Sequence, residues 1–546
     1  MCYRAIKLKI SEGDKVKIVF LGATHEVTGS ATYIEVGEKK YLVDYGMRQG
    51  REVFEYVDLP VKPSQIDGVF LTHAHIDHSG MLPKLYKLGF NGAVYCTGAT
   101  RNLCEIMLKD SAHIQESEAE WRNRKLTRSG QILIEPEYTM DDAIGVMELF
   151  VGFKYGEKTV INENVSVRFT DIGHLLGSSC IEIWLTENGV TKKIVFSGDV
   201  GNVDHPIICD PNSVDGGDYL VIESTYGDRL HTEKVSKNPY DELASVIQRA
   251  FDRGGSVIIP SFAVGRTQEI LYIIKGIKEM GLVKNHPHFP VYLDSPLAVE
   301  ATNVFNNCDR SYFDDKMLAL IDKGVNPLMN DDLKFSVSTD ESKMINFEKS
   351  SKVIISSSGM CDAGRIRHHL KHNLWNPENV VLFVGYQAEG SLGRSIIEGK
   401  KTVKIFGEEV AVKAEICTMH GTSGHADKNG LLQWIGKMTV KPKIVFVNHG
   451  DSRSCDAFKD TLNSIGYTAV APYSGSEFDP VTGIVKLKEG VRFENDKPGN
   501  TRSEILYGEL MKEVKRLEGI ATNLRGKQNR DITNLTNQIR QLIKKL

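Results

Sequence analysis

The sequence predicts an α/β protein whose chemistry lies at the carboxyl ends of strands. Two observations carry this. Short apolar runs alternate with amphipathic stretches over most of the 546 residues. Several runs stop at residues able to hold a metal or move a proton, as in VFLTHAH, IVFSGD, LVIEST and IVFVNHG. A third observation bounds the pattern: from about residue 500 the composition turns to Lys, Arg, Leu, Ile, Asn and Gln.

In chain order the apolar runs predict strands at 17–21, 41–43, 68–71, 194–196, 219–222, 256–259, 291–293, 353–355, 380–384 and 444–447. Helical patterns fall between them at 241–251, 267–278 and 430–436. In the tail, Leu510, Val514, Leu517, Ala521 and Leu524 step by 4, 3, 4, 3, and Ile532, Leu535, Ile539, Leu542 and Leu546 by 3, 4, 3, 4. Each set is a heptad-like stripe, and the phase slips between them. A helical hairpin or two coiled-coil segments fit. Packing on the protein's own body and homodimerisation through this region both stand open. The tail's Lys512, Lys515, Arg516, Arg525, Lys527 and Arg530 read as a solvated helix face.

Composition narrows the class. With 41% hydrophobic and 25% charged residues the chain reads as an ordinary soluble protein. A formal net charge of -4 excludes a broadly cationic body, so nucleic-acid binding requires a local groove. The nine Cys are scattered and no two form a Cys-x-x-Cys pair, which argues against a disulfide framework or thiolate zinc site. The N-terminal residues carry no apolar stretch of signal-peptide length, and no window approaches a membrane span. The expected location is cytoplasmic, with no membrane partner.

Residues 72–80, THAHIDHSG, are the most informative stretch. His73, His75, Asp77 and His78 follow the apolar run directly. Four such groups at one strand end are costly to desolvate unless they hold a metal, and neutral imidazole with carboxylate suits zinc. Single residues of the same kind end other strands: His174 in DIGHLLGSS, Asp199 in FSGDVG, His449 in FVNHG and Asp44 in YLVDYG.

In this order the motifs resemble the metallo-β-lactamase fold: Asp, His-x-His-x-Asp-His, His, Asp and His. The resemblance implies an αββα sandwich with a dinuclear site and two zinc ions per chain. Carried over by motif, His73, His75 and His174 hold one zinc. Asp77, His78 and His449 hold the other, and Asp199 bridges. Asp44 resembles an acid that orients a ligand without binding metal. Two zinc ions about 3.5–4 Å apart can clamp both oxygens of a phosphodiester displacement and provide a nucleophile at neutral pH.

That fold serves many hydrolyses, so it does not name a substrate. Glu223 in ESTYGDRLH, His425 in SGHAD and His449, with nearly 200 residues between the first two, resemble the β-CASP subgroup of nucleases. In these an α/β domain is inserted into the first. PSFAVGRTQE, DSPLA, SSSGMCDAGRIRHHL and GYQAEGSLGR in the insertion are similar to that subgroup. LGATHEVTGS and GHLLGSS resemble the branch that holds the nuclease subunit of the cleavage and polyadenylation factor and its prokaryotic relatives. The resemblance covers roughly residues 16–475. It implies domains at 1–226, 227–410 (inserted) and 411–475, with a short β segment and helical tail at 476–546.

By the same analogy His449 favours RNA over DNA. The chain is expected to be a zinc-dependent ribonuclease acting on single-stranded RNA in RNA processing or decay. Endonucleolytic and 5′-to-3′ cutting both stand open. Asp77, Glu223 and His425 are the expected catalytic residues. A leaving 3′-oxygen needs a proton, and an imidazolium held by a carboxylate can give one, so Glu223 orients His425 and His425 protonates. Arg266, Ser358, Gly359 and Arg365, with Arg394, are candidates for gripping substrate phosphate from the inserted domain. The cluster Arg367, His368, His369, Lys371 and His372 reads as a cationic helix face. The rival readings are another metallo-β-lactamase hydrolase, acting on DNA or a small phosphodiester, and a non-catalytic RNA-binding relative.

Overall fold

The computed structural model describes residues 16–50, 53–128, 133–231, 238–388, 390–419, 423–492, 514, 516–517, 520–521 and 529–543. Its largest body is built on three sheets. The first has eight strands, in the order Ile484–Lys486, Glu477–Asp479, Lys17–Gly22, Ala31–Val36, Lys39–Tyr45, Gly68–Phe70, Ala93–Thr97 and Phe150–Phe153. The second has seven, in the order Ala469–Val470, Ile444–Val447, Tyr219–Ile222, Val190–Phe196, Ser179–Glu187, Val165–Asp171 and Thr159–Val160.

Period-2 side-chain alternation gives each sheet two faces. Ile18, Phe20, Val43 and Phe70 from the first sheet meet Phe169, Ile183, Phe196 and Phe446 from the second in one buried cluster. On the outer faces, Leu42, Val69 and Val94 pack with Leu103, Leu108 and Val146 of helices Gly98–Arg128 and Met140–Met147. Leu220 and Val445 pack with Leu431, Trp434 and Phe458 of helices Lys428–Gly436 and Ser452–Ser464. This is the αββα sandwich. Each fully buried aliphatic or aromatic side chain contributes about 1.5–3 kcal/mol, which offsets the cost of a polar centre at the sandwich edge.

The third sheet belongs to the insertion and has six mutually parallel strands: Leu333–Phe335, Val291–Leu293, Val353–Ser356, Val257–Pro260, Val380–Phe383 and Glu415–Thr418. Its central strands are buried on both faces, with Ile259 and Ile355 in one cluster and Ile258 and Ile354 in another. That explains their unbroken Val/Ile runs. Glu415–Thr418 pairs with Val380–Phe383, so a strand of the inserted sheet lies within 411–475, past the return point expected from the motifs.

The tail is a separate unit with residues 53–55 and 491–546. It contains helix Asn529–Ile543, which carries Ile532, Leu535 and Ile539 of the second stripe. Leu510 and Leu524 of the first stripe, Leu546, and the N-terminal residues 1–15 lie outside the described residues. No helix among the described residues is long and apolar enough to cross a membrane.

Candidate metal centre

Two sheets deliver one site. From the first, Asp44 lies in strand Lys39–Tyr45, and His73 follows strand Gly68–Phe70 by three residues. His75 begins the one-turn helix Ile76–Ser79, which carries Asp77 and His78. From the second sheet, His174, Asp199, Glu223 and His449 each follow a strand by one to three residues. The strands before Glu223 and His449 are parallel neighbours, so 226 residues of separation close into one loop pair.

The imidazoles converge. His73 Nε2 lies 3.0 Å from His75 Nδ1, which lies 3.2 Å from His174 Nε2. His78 Nε2 lies 3.0 Å from His449 Nε2. Behind them, the other ring nitrogens are engaged. His78 Nδ1 donates to Asp44 Oδ2 at 2.7 Å, and His174 Nδ1 donates to the Gly424 carbonyl at 3.1 Å. His73 Nδ1 and His449 Nδ1 face the hydroxyls of Thr72 and Thr225 at 3.1 and 3.2 Å. The inward nitrogens are therefore the ones left to face a cation. Ligands of a tetrahedral zinc with Zn–N of about 2.0 Å sit about 3.3 Å apart, close to these separations.

Asp199 completes the fit. Its Oδ2 is 3.5 Å from both His73 Nε2 and His174 Nε2, and its Oδ1 is 3.3 Å from His78 Nε2. One oxygen faces each cluster. Oδ1 is buried with no hydrogen-bond partner, an orphan that a cation would satisfy. Asp77 Oδ2 lies 3.7 Å from His449 Nε2. The liganding atoms thus fall into the groups His73/His75/His174/Asp199 and Asp77/His78/His449. These residues fit metal.

Electrostatics agree at His73 and His174. Burial, with the neighbouring histidines, pushes His73 and His174 well below the usual imidazole range and keeps them neutral. Burial would raise the Asp199 carboxyl, but His449 and His78, whose charged forms Asp199 favours in turn, outweigh it and hold the group well below the usual range.

Beside this centre, His425 Nδ1 is 3.2 Å from Glu223 Oε1 and 3.9 Å from Asp199 Oδ2. Glu223 is pinned by the backbone N–H groups of Val200, at 2.6 Å, and Thr225, at 3.2 Å. Burial opposes charging of His425, but Glu223, then Asp199 and Asp77, push its pKa up to about 9. The ring remains 22% exposed, so it can meet a ligand.

The supporting loops explain motifs whose purpose sequence reading missed. In LGATHEVTGS, the Ala23 carbonyl accepts the His449 N–H at 2.7 Å, and Ser30 Oγ donates to Asp44 Oδ2. Thr72 N–H donates to Asp44 Oδ1 at 2.8 Å. In GHLLGSS, Ser178 Oγ accepts the N–H groups of His174 and Leu175. Asp44 and His449 hold φ of +58° and +51°, a sparsely populated region for such residues.

The phosphate candidates are engaged elsewhere. Arg266 pairs with buried Glu269. Arg365 donates to Asp294 Oδ1 at 2.7 Å and to the Ser336 carbonyl. Ser358 Oγ bonds the Ala363 carbonyl, and Arg394 pairs with Glu398. Gly359 packs on the Phe262 ring. In the cationic stretch, His369 points inward instead, donating from Nε2 to Asp294 Oδ2 at 2.6 Å. Sequence reading also passed over Phe262 and Tyr386, which stand 45% and 52% exposed at strand ends of the inserted sheet. An exposed aromatic at a strand end was their only signal.

Comparison with known proteins agrees with this geometry. The metallo-β-lactamase superfamily matches residues 26–225, the Beta-Casp domain 267–396, and the Zn-dependent metallo-hydrolase RNA specificity domain 409–472. Ribonuclease TTHA0252 of Thermus thermophilus is 36% identical over 439 residues, covering 80% of this chain and 93% of that protein. Transcription termination factor FttA of Methanocaldococcus jannaschii is 29% identical, covering 82% of this chain and 69% of that protein. The FttA of Methanosarcina mazei is 30% identical, covering 82% and 68%. With the histidine cluster, the Glu223–His425 pair and the inserted sheet already in place, these matches show that the chain belongs to the β-CASP family of metallo-β-lactamase-fold hydrolases.

Proposed function

We propose that the protein is a zinc-dependent ribonuclease that hydrolyses phosphodiester bonds of single-stranded RNA in RNA processing or decay. The observation that carries this is His425, held by Glu223 and set 3.9 Å from Asp199, so that a proton donor stands beside a metal-ligand cluster. The ribonuclease with which the chain shares 36% identity supports RNA as the substrate.

In this reading His73, His75 and His174 would hold one zinc and Asp77, His78 and His449 the other, with Asp199 shared between the two groups. Bound there, the two ions supply Lewis acidity toward a phosphoryl oxygen and a water nucleophile at neutral pH. Asp44 fixes the His78 tautomer. Glu223 orients His425 and favours its charged form. His425 gives its proton to the leaving 3′-oxygen, which then departs as a hydroxyl. Arg266 and Arg365, tied to Glu269 and Asp294, hold the loops facing the substrate, with Ser358 and Gly359 at the surface of one of them.

A cytoplasmic setting belongs to the same proposal, supported by eight free cysteines among the described residues. So does homodimerisation through the tail stripe. Sedimentation of the full chain against Ile539→Asp tests it, and a monomeric wild type rejects it.

The deciding experiment uses end-labelled RNA bearing a 5′-triphosphate, monophosphate or hydroxyl, with and without a zinc chelator, beside matching DNA. Chelator-sensitive cleavage of RNA is expected, and the end-dependence separates internal cutting from 5′-to-3′ cutting. Metal analysis should give two zinc per chain. His425→Ala should keep both and lose about 10²–10⁴-fold in cleavage rate. Undiminished turnover in that variant removes its assigned role.

A further inference from the structure

Outside the metal centre, the inserted domain carries a depression of about 460 Å³, lined among others by Asp362, Arg367, Lys400, Lys404 and Glu409. It lies between helices Ile366–Asn373 and Leu392–Ile397 and the hairpin of strands Thr402–Ile405 and Glu408–Ala411. We propose that this depression binds a phosphate group of the RNA backbone, gripping the strand away from the point of cleavage. The assignment to RNA rests on the ribonuclease reading above.

Three cations line the depression against two carboxylates. Asp362 Oδ1 is occupied by the Leu392 backbone N–H at 2.9 Å. Glu409 stands opposite Lys404 in the hairpin register. Lys400 Nζ donates to the neutral Ser395 hydroxyl at 3.0 Å. Among the described residues no carboxylate lies within ion-pair distance of Lys400 or Lys404, so the cations outnumber the carboxylates of the described lining by three to two. Neighbouring cations differ: Lys371 pairs with Glu408, and Arg394 with Glu398.

Arg367 is the second, independent observation. Its Nε–H is buried and has no acceptor. Its Nη1 reaches only the Asp362 carbonyl, at 3.3 Å. The guanidinium lies 4.4 Å over the Phe406 ring, which holds its plane. A donor stripped of water and left unpaired favours any acceptor brought to it. In the proposed complex the fork turns within the plane set by Phe406 to offer two parallel N–H groups to a tetrahedral anion, a geometry that suits phosphate.

One short segment joins the depression to the loop that carries Phe262. Met360 and Gly359 contact Gln387 and Ala388, Gly359 packs on exposed Phe262, and Cys361 and Asp362 continue into the depression. An RNA strand passing over Phe262 therefore has a cationic surface ahead of it. In this proposal a long strand engages both, and a trinucleotide held at the metal centre does not engage the depression.

The test compares wild type with Arg367→Gln/Lys404→Gln and with Lys404→Gln alone, an exposed position whose change leaves the fold intact. Binding of a fluorescent 30-nucleotide RNA is read by anisotropy in chelator, where cutting does not confound it. The double variant should bind about 10-fold more weakly at 0.1 M salt, with a log–log salt slope shallower by about 1. With metal restored, kcat/KM on a trinucleotide should be unchanged while KM on the 30-mer rises. Unchanged 30-mer affinity in both variants overturns the proposal, as does an equal loss on the trinucleotide. Inorganic phosphate supplies the other arm. If it raises the Tm of wild type alone while 30-mer affinity is unaffected, the depression serves a small phosphate compound and the RNA assignment falls. If wild type binds the 30-mer and the variants lose it, yet no preparation cuts RNA, the site stands and the ribonuclease reading fails.

Discussion

Asp171 ends the strand that leads to His174, is 6% exposed, and accepts the Gly173 N–H at 2.9 Å. Burial raises its carboxyl to about 7, which the backbone N–H groups of Gly173 and Ile172 offset only in part. The unfolded value is about 3.9, so the folded chain holds a proton that the unfolded chain has lost between about pH 4 and 7. Stability from this group is full below pH 4, falls through that window and is level above it. Asp171→Asn removes the dependence. Its stability relative to wild type should rise from pH 4 to 7.5 by up to about 4 kcal/mol, read by urea denaturation at both pH values. A difference independent of pH contradicts the assignment. At this scale the sequence was legible where residue type and spacing suffice: His73, His75, Asp77 and His78 share six positions, and all meet at one centre. It was not legible for the groups behind the ligands. Thr72, Thr225 and the Gly424 carbonyl are ordinary residues until the fold sets them against an imidazole nitrogen.

Among the elements, the one-turn helix Ile76–Ser79 has the least tolerance. Gly46 passes so close to it that a Cβ would lie 1.6 Å from the Asp77 carbonyl oxygen. Gly46→Ala should displace that turn, halve the bound zinc and abolish cleavage. Full metal content in this variant would falsify the account. Phe262 belongs to the loop after strand Val257–Pro260 and offers a face for base stacking, worth about 1–3 kcal/mol per base. Phe262→Ala should therefore raise KM for single-stranded RNA about 10-fold with kcat nearly unchanged. An effect on kcat alone would place the ring elsewhere in the mechanism. Strands were readable from short Val/Ile runs: 219–222, 291–293 and 444–447 match the observed bounds. Helix 267–278 was readable from its period and runs Arg266–Glu279. Sheet order was not, because pairing such as Tyr219–Ile222 with Ile444–Val447 joins segments far apart in the chain. Nor was the inward turn of His369, since a helix-period pattern of His and Lys does not say which face meets Asp294.

At the scale of the whole molecule, the metal is expected to bear on stability as well as chemistry. Without cations, several imidazole lone pairs and two buried carboxylates face one another at the sandwich edge. Exhaustive chelation should lower the Tm by roughly 10 °C, as expected for ligands held near 1,000-fold above their dissociation constants, and zinc should restore it. Chelated protein shown by metal analysis to be empty yet melting unchanged would mean that the centre is no part of the stability of the fold. The sandwich is also discontinuous in sequence. His78 Nε2 and His449 Nε2 lie 3.0 Å apart with 371 positions between them. In order of synthesis, His449, the last of the seven proposed ligands, follows the entire inserted sheet. No nascent chain short of that point carries the complete cluster. The separation of the two histidines thus fixes an order of assembly, in which the cluster closes only after the inserted sheet has been made.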